Sequence, residues 1–118
     1  MFHYGDHHYF IAILFFLLVG HAFFDFPGQG PYLSAAKDPA STEGQNGVWR
    51  WALFHHSMLH AGSVAFFTHS LLLGAFEGIS HAIIDYLKCR KVFSFHVDQW
   101  LHIGLKVLWA YCAAAGLA

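Results

Sequence analysis

Four pairs of metal-ligand-type residues recur at i and i+4: His21 and Asp25, His56 and His60, His81 and Asp85, Asp98 and His102. On a helix that spacing stacks both side chains of a pair on one face, about one turn apart. Five imidazoles and three carboxylates are borderline-to-hard donors suited to Zn, Fe or Mn, and eight exceed what one ion can use. The count fits two divalent ions, zinc ahead of iron or manganese, held about 3.5 to 4 Å apart and bridged by a carboxylate. The same residues could instead form a hydrogen-bonded His–Asp seam that fixes helix register without metal. Four coincident pairs favour the metal reading.

The elements that must carry these pairs read as membrane spans. The chain has 118 residues, 57 % apolar and 11 % charged, too apolar for an ordinary soluble domain of this size. Its eleven histidines are roughly four times the usual share. Apolar segments predict four helices at about 7–26, 49–68, 73–90 and 95–117. The expected fold is all-α, a four-helix transmembrane bundle running up-down-up-down. Residues 27–49, rich in Gly, Pro and Ser, form a polar loop between the first two helices, with a short interfacial turn in its middle. The second and third helices meet at a weakly marked turn near 68–75, where Thr68, Ser70 and Gly74 fall.

The first apolar stretch lacks the basic leader and small-residue cleavage site of a signal peptide, so it reads as a retained span. Lys37 and Arg50 flank the first loop and Lys88, Arg90 and Lys91 the third, which places five of the six basic residues on one side. The positive-inside rule makes that side cytoplasmic, with both termini outside. Trp49, Trp51 and Trp100 near the inner ends, and Trp109 and Tyr111 near the outer, read as interfacial anchors.

Helix direction sorts the ligands by depth: His21, His60, His81 and His102 form an outer layer, and Asp25, His56, Asp85 and Asp98 an inner one. Glu77 and Lys106 lie one turn further out on neighbouring helices, where a salt bridge is expected. Gln29, Lys37, Lys88 and Gln99 fall near the inner end as residues that support the ligands or position substrate. His55 points about 100° away from His56 and is not expected to ligate. His3, His7, His8, His69 and His96 fall outside the pattern and read as interfacial or packing residues, His96 being the nearest to an exception. Cys89 and Cys112 have no C-x-x-C spacing and read as packing residues. No basic stripe suggests nucleic acid. Gly62, Ala65, Gly74, Gly78 and the terminal AAAG run would permit close helix approach in a homo-oligomer.

The ordered motifs GHAFFDF (20–26) followed by Gln29 and Lys37, FHHSMLH (54–60), SHAIIDYLK (80–88) and DQWLH (98–102) resemble the family of small bacterial and phage membrane proteins known as domain of unknown function 3307. The resemblance covers nearly the whole chain. It implies an integral membrane protein whose polar positions are His21, Asp25, Gln29, Lys37, His56, His60, His81, Asp85, Lys88, Asp98, Gln99 and His102. The family name carries no activity. A looser likeness, by analogy only, is to zinc-dependent phospholipase C type enzymes and to inner-membrane metal-dependent hydrolases.

The expected function is therefore a membrane-embedded dinuclear metal protein of the bacterial inner membrane. It would hydrolyse a lipid-like phosphoryl or acyl substrate near the cytoplasmic interface. A di-iron oxidase or hydroxylase is the alternative enzyme, ranked lower because the chain lacks multiple H-x-x-H-H boxes. A non-catalytic metal or proton conduit, or an interaction subunit, is the alternative of another class.

Overall fold

The computed structural model describes residues 7–117, and from residue 8 their side chains. His3 and the side chain of His7 lie outside the described residues. Five helices and no strand occur among them: α1 (His7–Asp25), α2 (Gly30–Ala36), α3 (Val48–Thr68), α4 (Leu71–Cys89) and α5 (Phe95–Ala114). The all-α expectation holds, but the count of four does not. The extra helix, α2, opens the loop that follows α1, where only a turn in the middle was expected. Gly30 in the left-handed region (φ 71°) turns the chain, and Pro31 supplies a pre-set φ in the first helical turn. Ala36 is fully buried, and α2 packs on α3.

The four long helices form a square, α1 against α3, α3 against α4, α4 against α5 and α5 back against α1. The α3–α4 hairpin turns within two residues. His69 leaves α3 in the left-handed conformation (φ 55°), and Ser70 caps α4 by accepting the Leu73 amide at 3.1 Å. Ser94 caps α5 in the same way, accepting the Val97 amide at 3.2 Å.

Small residues set how closely α3 and α4 approach. A Cβ on Gly74 would stand 2.7 Å from the Ala65 Cβ and 2.8 Å from the Ala61 carbonyl oxygen, and one on Gly78 3.1 Å from the Ala61 Cβ. Of the small residues expected to serve self-association, Ala65, Gly74 and Gly78 thus lie at the α3–α4 contact within the chain, while Gly62 has open space around its Cα. Gly74→Val should lower the unfolding free energy by about 2 kcal/mol, since overpacking costs about 1–3 kcal/mol. Denaturant unfolding in detergent would read this, and an unchanged midpoint would show that the contact is slack.

The interior has two storeys. The half toward the start of α1 and the end of α5, termed the outer half for position in the bundle alone, is apolar, built from Ile13, Leu17, Val64, Leu73, Trp109, Ala110 and Ala113. The inner half is polar and holds the His and Asp pairs. Large apolar side chains point the other way, among them Phe15, Phe23, Phe54, Phe66, Leu71, Ile79, Ile83 and Val107. By length and composition one helix, α1, is apolar enough to cross a membrane. On α3, α4 and α5 the inward faces carry ionisable residues, which lowers their mean hydropathy although their outward faces are apolar.

Candidate metal centre

The eight paired residues converge from α1, α3, α4 and α5, and each is 9 % exposed or less. His21, His60, His81 and His102 share one level. The rings of His60 and His81 stack with centroids 3.7 Å apart and those of His81 and His102 4.2 Å apart. His21 closes the circuit at 5.2 Å from His102 and 5.3 Å from His60.

Asp25, at the last turn of α1, is the hub. Its Oδ1 lies 3.2 Å from His56 Nε2, 2.9 Å from His60 Nε2 and 3.8 Å from His81 Nε2. One donor atom from each of Asp25, His56, His60 and His81 falls within 4.8 Å of the other three. Four ligands about 2.0–2.1 Å from a zinc ion stand about 3.4 Å apart along the edges of their tetrahedron, which is the range of the three measured separations. Nδ1 and Nε2 of His56, His60 and His81 are all buried and none makes a well-aligned hydrogen bond, with Asp25 Oδ1 the nearest acceptor to His56 and His60 Nε2. Buried imidazole nitrogens left without a well-aligned partner are costly in a metal-free polar seam. The same arrangement is what a shared cation requires.

A second set uses Asp25 again, with Asp98 and His102, whose own separation is 3.3 Å from Oδ1 to Nε2. Gln99 holds this set in place. Its amide nitrogen donates to Asp25 Oδ2 at 2.9 Å and to Asp98 Oδ2 at 3.1 Å. With the nitrogen committed to two carboxylates, the amide oxygen faces His21 Nε2 at 3.1 Å, so that nitrogen must carry the hydrogen. His21 therefore orients Gln99 through Nε2, while its Nδ1 is buried without a hydrogen-bond partner.

A third set, Glu77 with His81 and His102, also has ligand spacing, but its carboxylate is paired with an ammonium. Lys106 Nζ lies 2.6 Å from Glu77 Oε1, giving the expected salt bridge, and both residues are buried. Trp109 Nε1 donates to Glu77 Oε2 at 2.7 Å. Trp109 is thus a core donor rather than the interfacial anchor expected from the sequence. The signal for it was present, since Trp109 follows Lys106 by three residues on the same helix face. Glu77 Oε1 also stands 3.4 Å from His81 Nδ1.

Asp85 falls outside the three sets. Its Oδ2 meets Lys37 Nζ at 2.7 Å and its Oδ1 meets Lys88 Nζ at 3.0 Å, although Oδ2 remains 3.5 Å from His56 Nε2. Lys37, just beyond α2, is buried, so the loop that carries it folds over the inner end of the bundle. Gln29 does not reach the ligands: its Nε2 donates at 2.8 Å to the Asp25 carbonyl and closes the end of α1. His55, His69 and His96 are exposed and apart from the cluster, with His55 stacked on Trp51.

Fold and site together define a small helical bundle that is apolar outside and holds a histidine–carboxylate cluster within. The chain belongs to the family described as "Protein of unknown function (DUF3307)", whose model matches residues 13–116. No curated protein and no solved structure matches it.

Proposed function

We propose that this chain is an integral membrane protein carrying a dinuclear metal centre, and that the centre is hydrolytic. The observation that carries the reading is the set of orphaned imidazole nitrogens around Asp25 Oδ1, spaced as the edges of a coordination tetrahedron. One ion would take Asp25, His56, His60 and His81. The other would take Asp25, Asp98 and His102, leaving a position for water. Zinc suits the first donor set best, and iron or manganese would also accept the second.

Support for the membrane comes from the outward apolar faces and from helix lengths of 19, 21, 19 and 20 residues, about 28–32 Å each against a hydrocarbon core of about 30 Å. α1, α3, α4 and α5 would be the four spans. The end bearing Lys37, Arg50, Lys88, Arg90 and Lys91 would face the cytoplasm, and the start of α1 and the end of α5 would lie on the outer side. A bacterial inner membrane is the setting this suits.

A divalent ion in an open coordination position lowers the pKa of bound water toward neutrality and polarises a phosphoryl or acyl oxygen. The chain's own residues supply the rest. Gln99 fixes two carboxylates, Glu77 lies beside His81, and burial excludes bulk water. A substrate with a lipid-like body and a phosphoryl or acyl group near the cytoplasmic interface fits this depth.

The test is elemental analysis of purified protein together with hydrolysis of a chromogenic phosphodiester and a short acyl ester in detergent. About two ions per chain are expected, with turnover lost on chelation and restored by zinc. Trace metal would end the proposal. Iron with an oxygen-sensitive visible spectrum would replace hydrolysis by oxidation.

A further inference from the structure

Nothing on the outer side gives access to the cluster. The apolar storey of Leu17, Val64, Leu73 and Trp109 lies above it, and the Glu77–Lys106–Trp109 network closes the boundary between the two storeys. On the flanks neighbouring helices pack against one another, and the cavity between α3 and α4 is lined almost wholly by apolar residues such as Phe54, Met58 and Ile79. At the inner end the closure is of another kind, made by residues 29–37 and by ion pairs. Lys37 and Lys88 approach opposite oxygens of one carboxylate, Asp85, at 2.7 and 3.0 Å. Lys88 is 22 % exposed on its side chain, whereas Lys37 is 2 % exposed. The exposed Arg90 and Lys91 continue the positive charge beyond them.

Two ammonium groups on one carboxylate leave a net positive charge. Asp98 also acts on Lys88, but it belongs to the second ligand set and would be committed to a cation there. Asp25, the other carboxylate at this end, would be committed likewise, and Asp38 and Glu43 lie on the loop after α2, where Asp38 Oδ1 accepts the Ala40 amide. The clamp is therefore built to hold an anion, and at present it holds one supplied by the chain itself. That anion sits beside the cluster, with Asp85 Oδ2 3.5 Å from His56 Nε2.

We propose that Lys37 and Lys88 form an anion subsite at the inner entrance of the metal centre, where a phosphoryl group of the substrate displaces Asp85. This deepens the hydrolase reading and rests on it for the role of the subsite and for the charge balance in which a metal ion neutralises Asp98. A tetrahedral phosphoryl group has more oxygens than a carboxylate. Two can take the lysines while a third points toward the ligand cluster, a division that one planar carboxylate cannot make. A lipid headgroup and a soluble phosphate ester both carry this group.

The experiment is calorimetric titration of inorganic phosphate into the intact protein in neutral detergent, with bound metal measured on the same samples. Asp85→Asn, which removes the competing charge, should tighten phosphate binding at least tenfold, to about the extent expected for one charge-assisted contact. Lys37→Met and, as the less buried variant, Lys88→Met should each weaken it at least tenfold. A second arm uses nanodiscs of a neutral, phosphate-free glycolipid with and without phosphatidic acid. Weaker phosphate binding in the phosphatidic acid discs assigns the group to a lipid headgroup, and equal binding assigns it to a soluble ester. Absence of phosphate binding, or binding indifferent to Asp85 and Lys88, overturns the subsite even where two metals are present. Lysine-dependent binding to a protein that holds no metal supports the subsite and overturns only the dinuclear centre.

Discussion

Asp25→Ala should empty both metal positions at once, taking bound metal from about two ions per chain to a trace. No other single substitution is expected to do this. Asp25 is the one residue common to the two ligand sets that lack a resident cation, with Oδ1 facing His56, His60 and His81. Its Oδ2 is held by Gln99 on the side of Asp98. His102→Ala belongs to one of those two sets and should leave about one ion. Asp25→Asn keeps an oxygen but loses the charge that balances two cations, so its metal content should fall between the two. Mass spectrometry of elements in the purified variants reads all three. Two ions retained by Asp25→Ala would mean that the carboxylate is a hydrogen-bond acceptor and the proposed bridge does not exist.

The second large effect is on stability. Lys106→Met should cost about 3–5 kcal/mol, because it leaves the Glu77 carboxylate charged, buried and short of its counter-ion. Glu77 is completely buried, and its remaining donor at hydrogen-bond distance would be Trp109 Nε1 at 2.7 Å. The double variant Lys106→Met, Glu77→Gln removes both charges and should recover most of the loss, since replacing both partners of a buried pair is often close to neutral. Thermal and denaturant unfolding in detergent would give the cycle. If the two single losses simply add in the double variant, the pair is not coupled and the ammonium does not act as the resident cation of the third ligand set.

The sequence was most informative about periodicity. The i, i+4 pairs, the four long helices and the Glu77–Lys106 pair follow from helical geometry and from the cost of charge among apolar side chains, and each lies where that spacing puts it. The turn between α3 and α4 was readable from Thr68 and Ser70, although its length of two residues was not. α2 was harder to see. Seven residues beginning Gly-Pro carry too little periodic pattern to separate a helix from a turn.

Depth and residue type were thus fixed by the chain alone: which residues share a face, which end of each helix they occupy, and that imidazoles and carboxylates would meet at a common level. Partner choice within that level was decided by the tertiary fold. Asp25 and Asp85 occupy the same place in equivalent H-x-x-x-D motifs, yet one faces three imidazoles and the other two lysines. His21 and His81 are likewise equivalent in sequence, yet His21 turns Nε2 to Gln99 while His81 turns it to the Asp25 set. Helical spacing sets a direction around one axis to within a face, whereas ligand and hydrogen-bond partners are settled by separations of a few ångströms between side chains on different helices. Those separations depend on how closely the helices pack and on where the loop sets down Lys37, and neither is written in any single helix.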